Sequence, residues 1–125
     1  MSMNYIYAAA GAALGGVFRY WLTGMMHKYF SIIFPIGTFT VNVLGSFILG
    51  LIIFYMDARQ LISSEVKIFL TVGFCGGFTT FSAFSYETFA LLQQNELSKA
   101  LLNVIINVVL TIAAVFAAYY LSRVH

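Results

Sequence analysis

Residues 73–84 read GFCGGFTTFSAF and bring together adjacent glycines, adjacent threonines and two phenylalanines three positions apart. Gly76 and Gly77 can unwind a helix, and carbonyls freed in this way are hard oxygen ligands suited to a small cation. Thr79 and Thr80 can satisfy the neighbouring backbone groups. Phe81 and Phe84 project from one side, and a phenyl edge carries the positive rim of the ring quadrupole. Two such edges facing a narrow gap can line an anion path without a fixed charge. A glycine kink beside two core phenylalanines is the competing reading of the same residues.

Other polar residues recur at helical spacing in apolar surroundings. Asn42, Gly45 and Ser46 share one helix face. Asn103, Asn107 and Thr111 form a stripe along LLNVIINVVLTIAAVF. Amides at membrane depth are either glue between helices or the lining of a functional pathway, and three in register favour a water-lined or ion-lined track. Glu87, about one turn beyond the 73–84 stretch, either terminates that track or faces a vestibule. Arg19 snorkels or pairs with carbonyls, with attraction of ions as the other reading. His27 and His125 are interfacial and solvated. No nucleophile–base constellation and no cluster of metal-ligating side chains appears, so no enzyme is expected.

The elements that must position these residues follow from composition. Of 125 residues, 62% are hydrophobic and 8% charged, whereas a soluble domain carries about a quarter charged residues. Four apolar stretches, roughly 4–26, 33–56, 66–93 and 99–122, are each long enough to cross ~30 Å of hydrocarbon. They predict a single all-α integral membrane domain over 1–125 with four transmembrane helices, the third of them broken. Pro35 suits a helix start, Ser63 or Ser64 followed by Glu65 can cap the third helix, and Asn95-Glu96 can cap the fourth. Gly11-xxx-Gly15 and Ser46-xxx-Gly50 permit close helix packing. No Lys or Arg precedes the first stretch, which is also longer than a signal h-region, so no cleavable signal is expected. A net charge of +2 is too small to suggest a nucleic-acid partner, and the single cysteine, Cys75, excludes an internal disulfide.

With four spans, Arg59, Lys67 and Arg123 fall on one side and Lys28 and Lys99 on the other. Such a small difference specifies orientation weakly. The topology is either marginally set or used both ways, and four short helices enclose no useful pathway alone. Both points favour a homodimer, and an antiparallel one accounts for the charge balance.

GGVFRY in the first helix, GTFTVNVLGSFILG in the second and GFCGGFTTFSAFSYET in the third resemble the Fluc (CrcB) fluoride channels over the whole chain. The resemblance implies an antiparallel dual-topology homodimer in membrane lipid, with two fluoride pores and a central structural sodium ion. It implies that Phe81 and Phe84 are the pore phenylalanines and Asn42 the pore-facing amide. It implies that backbone carbonyls of Gly76 and Thr79 from both subunits hold the sodium. It also makes Ser82, Asn103, Asn107, Thr111, Thr38 and Glu87 candidates for the polar lining, with Arg19 near the vestibule. Ala83 departs from the family, which commonly has a hydroxyl there, so Ser82 carries more of the hydrogen bonding. The expected activity is passive export of cytoplasmic fluoride through a multi-pass protein of the bacterial inner membrane. The other function weighed is a small dual-topology proton-coupled drug exporter. That requires a carboxylate near the midplane of a span, ideally in the first helix, which has none.

Overall fold

The structure, a computed structural model, describes residues 2–30 and 34–124; the expectations for His125 and for the start of the second span at 33 lie outside them. The described residues are helical, without strands, and form four rods. The first rod is α1 (Ser2–Tyr29). The second is α2 (Ile36–Leu51), continued by a π-helical stretch over Ile52–Asp57. The third comprises α3 (Ser64–Ile68), a π-helical stretch over Phe69–Cys75, the short α4 (Gly76–Phe78) and α5 (Phe81–Gln93). The fourth is α6 (Leu97–Val124). Among the described residues, three rods are long and apolar enough to cross a membrane: Ile36–Asp57, Ser64–Gln93 and Leu97–Val124. The first rod matches α6 at 28 residues.

Local chemistry explains most boundaries. Pro35 directly precedes α2, where its missing N–H costs no ladder bond. Ser63, rather than Ser64, caps α3 through its Oγ, which accepts the Val66 N–H at 3.2 Å. Asn95 does not cap α6. It takes a left-handed turn conformation with φ 59° and delivers its N–H to the Leu92 carbonyl, a backbone geometry Asn tolerates better than most residues.

The rods run alternately up and down. α1 lies alongside the first half of the third rod, with glycines from both sides in the seam. A Cβ on Gly11 would stand 2.9 Å from the Gly73 Cα, one on Gly15 2.9 Å from the Phe78 N, and one on Gly77 2.5 Å from the Ala12 carbonyl oxygen. Gly11-xxx-Gly15 therefore faces a second glycine pair, Gly73 and Gly77, and the two backbones touch. Gly50 does the same for α2 against α6, where a Cβ would meet the Ala118 Cβ at 2.6 Å. At one end of the rods, Lys67 pairs with Asp57 at 2.9 Å and Arg59 donates to the Ser122 carbonyl at 2.7 Å. The ends of the second and fourth rods and the start of the third thus lie together.

Candidate functional site

The third rod breaks two residues later than its glycines suggest. Gly76 and Gly77 are helical, and the chain becomes extended at Thr79 (φ −91°, ψ 160°) and Thr80 (φ −152°, ψ 118°). Gly77 lets α1 approach, so this flexible-looking residue is a closely packed one, while Gly76 faces outward. The break is made by hydrogen bonding. Thr79 Oγ1 donates to the Cys75 carbonyl at 2.9 Å, and Thr80 Oγ1 accepts the Ala83 N–H at 3.1 Å, capping α5. Asn42 then takes both sides of Thr80: its Oδ1 accepts the Thr80 N–H at 2.8 Å, and its Nδ2 donates to the Thr80 carbonyl at 3.1 Å.

The extended Thr79 and Thr80 take the carbonyls from Gly76 to Thr79 out of the helical ladder, and these bonds capture two of the released donors. In a continuous helix the Gly76 carbonyl would accept from Thr80 N–H and the Thr79 carbonyl from Ala83 N–H. Both donors are diverted to side chains. The Gly77 carbonyl accepts Arg19 Nε at 3.0 Å. Arg19, which the sequence left between snorkelling, carbonyl pairing and ion attraction, is therefore a carbonyl partner at the break. Gly76 is exposed on the subunit surface, and a Cβ there would meet nothing nearer than the Thr71 carbonyl oxygen at 3.7 Å.

A cavity of about 340 Å³ opens beside the break, bounded by α2, both halves of the third rod and α6. Of the residues expected to line a pathway, it receives Asn42, Phe81, Phe84, Asn107 and Thr111, together with Gly76 and Thr79. The two phenyl rings are 5.3 Å apart between centroids and inclined at 58°. Phe84 is 8% exposed and Phe81 is 77% exposed at the subunit surface. Ser82 is exposed just beyond, with its Oγ 3.2 Å from Thr80 Oγ1.

The amide stripe is more closely bonded than a water-filled track requires. Asn103 is 1% exposed and Asn107 5%. Asn107 Nδ2 donates to the Asn103 carbonyl and Oδ1, each at 2.9 Å, and Asn107 Oδ1 accepts from Asn42 Nδ2 at 3.2 Å. Asn103 Nδ2 donates to Thr88 Oγ1 at 3.0 Å. Thr111 returns its hydroxyl to the Asn107 carbonyl. Amide glue between α2, α5 and α6 thus accounts for most of these donors, while Asn107 and Thr111 also border the cavity.

Thr38 and Glu87 meet elsewhere along the third rod, away from the cavity lining. Thr38 Oγ1 donates to Glu87 Oε2 at 2.8 Å, whereas Glu87 Oε1 is buried without a hydrogen-bond partner among the described residues. The sequence singled out each of these two residues but not their contact. It did not point to Thr88, or to Thr71, Cys75 and Leu49, which also line the cavity. Thr71 and Cys75 are one helical turn apart, a spacing visible in the sequence; the Thr88–Asn103 bond depends on how α5 meets α6.

The family described as CrcB-like protein, Camphor Resistance (CrcB), matches residues 6–119. The fluoride-specific ion channel FluC of Geotalea uraniireducens (strain Rf4) is 48% identical over 100 residues, covering 80% of this chain and 81% of that one. FluC of Thermococcus gammatolerans is 48% identical over 115 residues, 92% of each chain. FluC of Geobacter metallireducens is 41% identical over 121 residues, covering 97% and 98%.

Proposed function

The chain belongs to the CrcB family, and from that premise we propose a fluoride-selective channel that lets cytoplasmic fluoride leave passively and so relieves its toxicity. It is a multi-pass membrane protein and not an enzyme. The observation that carries the reading within the fold is the pair Phe81 and Phe84 on the wall of a cavity whose other polar donors are largely engaged. The drug-exporter alternative is set aside: the relatives are fluoride channels, and α1 contains no carboxylate.

Fluoride is small and strongly hydrated, so a selective path must replace its water shell within a narrow bore. The two ring edges offer positive rims without a fixed charge that would trap the ion. At most one of the Thr80 and Ser82 hydroxyl protons is used in their mutual contact, which leaves a hydroxyl donor beside the rings. With Ala83 between the phenylalanines, Ser82 takes that role. Asn42, Asn107 and Thr111 set the polar wall, while Asn103, Thr38, Glu87 and Arg19 support it from behind or further along.

The functional unit is an antiparallel dual-topology homodimer in which α1 also spans the bacterial inner membrane. The exposure of Phe81 and the open side of Gly76 support this, because both lie at the subunit surface where a second copy would complete the walls. C-terminal reporter fusions are expected to signal from both sides of the membrane; signal from one compartment alone rejects dual topology. Sodium fits the break: the Gly76 and Thr79 carbonyls lose their helical donors to side chains, and a two-fold axis would make four such oxygens from two per subunit. Bound there, sodium would supply positive charge and cross-subunit rigidity.

Fluoride efflux from liposomes loaded with potassium fluoride tests the activity. Reconstituted protein is expected to release fluoride far faster than chloride. Efflux no faster than from empty liposomes rejects the channel reading.

A further inference from the structure

We propose that Asn42 is the positioning residue of the cation site: it holds the third rod open by pairing with both polar groups of the Thr80 backbone, and so keeps the Gly76 carbonyl free. The inference rests on the reading of Gly76 and Thr79 as sodium ligands.

The Thr80 N–H is the donor that a continuous helix would give to Gly76. It goes instead to Asn42 Oδ1 at 2.8 Å, while the Thr80 carbonyl accepts Asn42 Nδ2 at 3.1 Å. One side-chain amide thus pairs with one residue's N–H and C=O together, as an adjacent strand would. The extended conformation of Thr80, φ −152° and ψ 118°, presents both groups in the manner such pairing needs. Asn42 also donates to Asn107 Oδ1 at 3.2 Å, and Asn107 is anchored on Asn103 by two bonds of 2.9 Å. With its donors and acceptor engaged, the Asn42 amide has one orientation, because a flip would set its NH₂ against the Thr80 N–H. Gly45, one turn along α2, lets the break come this close: a Cβ there would lie 3.2 Å from Phe78 Cδ2.

Asparagine suits this place by composition and length. Aspartate retains the acceptor but loses the donors. Leucine loses both, so the Thr80 N–H can return to the Gly76 carbonyl and heal the helix. Asn42 therefore acts on the cation through backbone shape, in addition to any part it has in the pathway wall.

The test uses purified protein in detergent, titrated with sodium chloride against N-methylglucamine chloride at constant ionic strength, with Tm as readout. In Asn42→Leu the half-saturating sodium concentration is expected to rise at least fivefold; any smaller rise overturns the proposal. Asn42→Asp, which keeps the acceptor for Thr80 and adds a charge that attracts cations, is expected to hold the parental value or lower it, although its fluoride flux is lost. A weakening by Asp as large as by Leu also overturns the proposal. If Asn42→Leu does not fold, Asn107→Leu leaves Asn42 in place but unsupported; a threefold or larger rise supports the idea and a smaller one sinks it. A parental Tm that ignores sodium rejects the cation reading itself. The clamp is then judged on the Thr80 amide of ¹⁵N-labelled protein, which must change its resonance and hydrogen exchange in Asn42→Leu and stay near the parental values in Asn42→Asp; no change with Leu refutes it.

Discussion

Upstream of Thr79 the third rod packs chiefly on α1, backbone against backbone, through Gly11, Gly15, Gly73 and Gly77. Downstream, α5 lies mainly against α6 and is tied to its neighbours by side chains, Thr88 to Asn103 and Glu87 to Thr38. One half is fixed by shape and the other by hydrogen bonds, and the break falls where the two systems meet. A seam of glycines tolerates no added atom, since the nearest groups are backbone and cannot rotate away. A hydrogen-bonded half tolerates changes of volume better than changes of polarity, because a buried group without its partner costs about 1–3 kcal/mol. The cavity beside the break therefore has a rigid wall and a chemically specified wall.

The largest effect should come from breaking the rigid wall. Gly15→Val is expected to prevent recovery of folded protein by size-exclusion chromatography. Overpacking alone costs about 1–3 kcal/mol when side chains can shift, and here the neighbours are the backbone of Phe74 and Phe78. A normally folded Gly15→Val protein would show that the seam has slack.

Next comes Asn42→Asp, at the junction. A carboxylate about 4 Å from fluoride repels it by roughly 4 kcal/mol at an effective dielectric near 20, or roughly two to three orders of magnitude in rate. Liposome efflux should fall by that factor while the protein folds, because the acceptor for Thr80 N–H is retained. Flux near the parental rate would remove Asn42 from the pathway wall.

The phenylalanines sharpen the contrast further. Phe81→Ile and Phe84→Ile should each lower fluoride efflux by about tenfold or more, since each 1.4 kcal/mol of lost ion stabilisation is tenfold in rate. Only Phe84→Ile should also lower Tm, by the equivalent of about 1 kcal/mol, because Phe84 is buried within the subunit and Phe81 is not. Equal loss of Tm with unchanged efflux would favour two core phenylalanines.

The smallest change is Thr88→Val in the hydrogen-bonded half. It removes the acceptor for Asn103 Nδ2 at nearly constant volume and is expected to cost about 1–2 kcal/mol in chemical denaturation. An unaltered midpoint would mean that the Asn103 amide finds another partner.

Much of this arrangement was legible in the residues. The apolar stretches gave the rods to within a few residues, since hydropathy needs no knowledge of neighbours. The GFCGGFTTFSAF run marked where the third rod would break and which rings would stand together. The break lies two residues past the glycines, because Gly77 is clamped against α1 and both glycines stay helical. The amide stripe was visible as a stripe, yet its use as interhelical glue depended on Asn42 and Thr88 arriving from other rods. The π-helical stretches Ile52–Asp57 and Phe69–Cys75 left no periodic signal. A helical membrane protein, its family and the chemical types that line its cavity could be read from the residues alone, because length, hydropathy and a specific motif are local properties. Which donors are already taken emerges only on packing, since beside the local threonine bonds the remaining hydrogen bonds at the break join residues dozens of positions apart: Arg19 to Gly77, Asn42 to Thr80 and to Asn107.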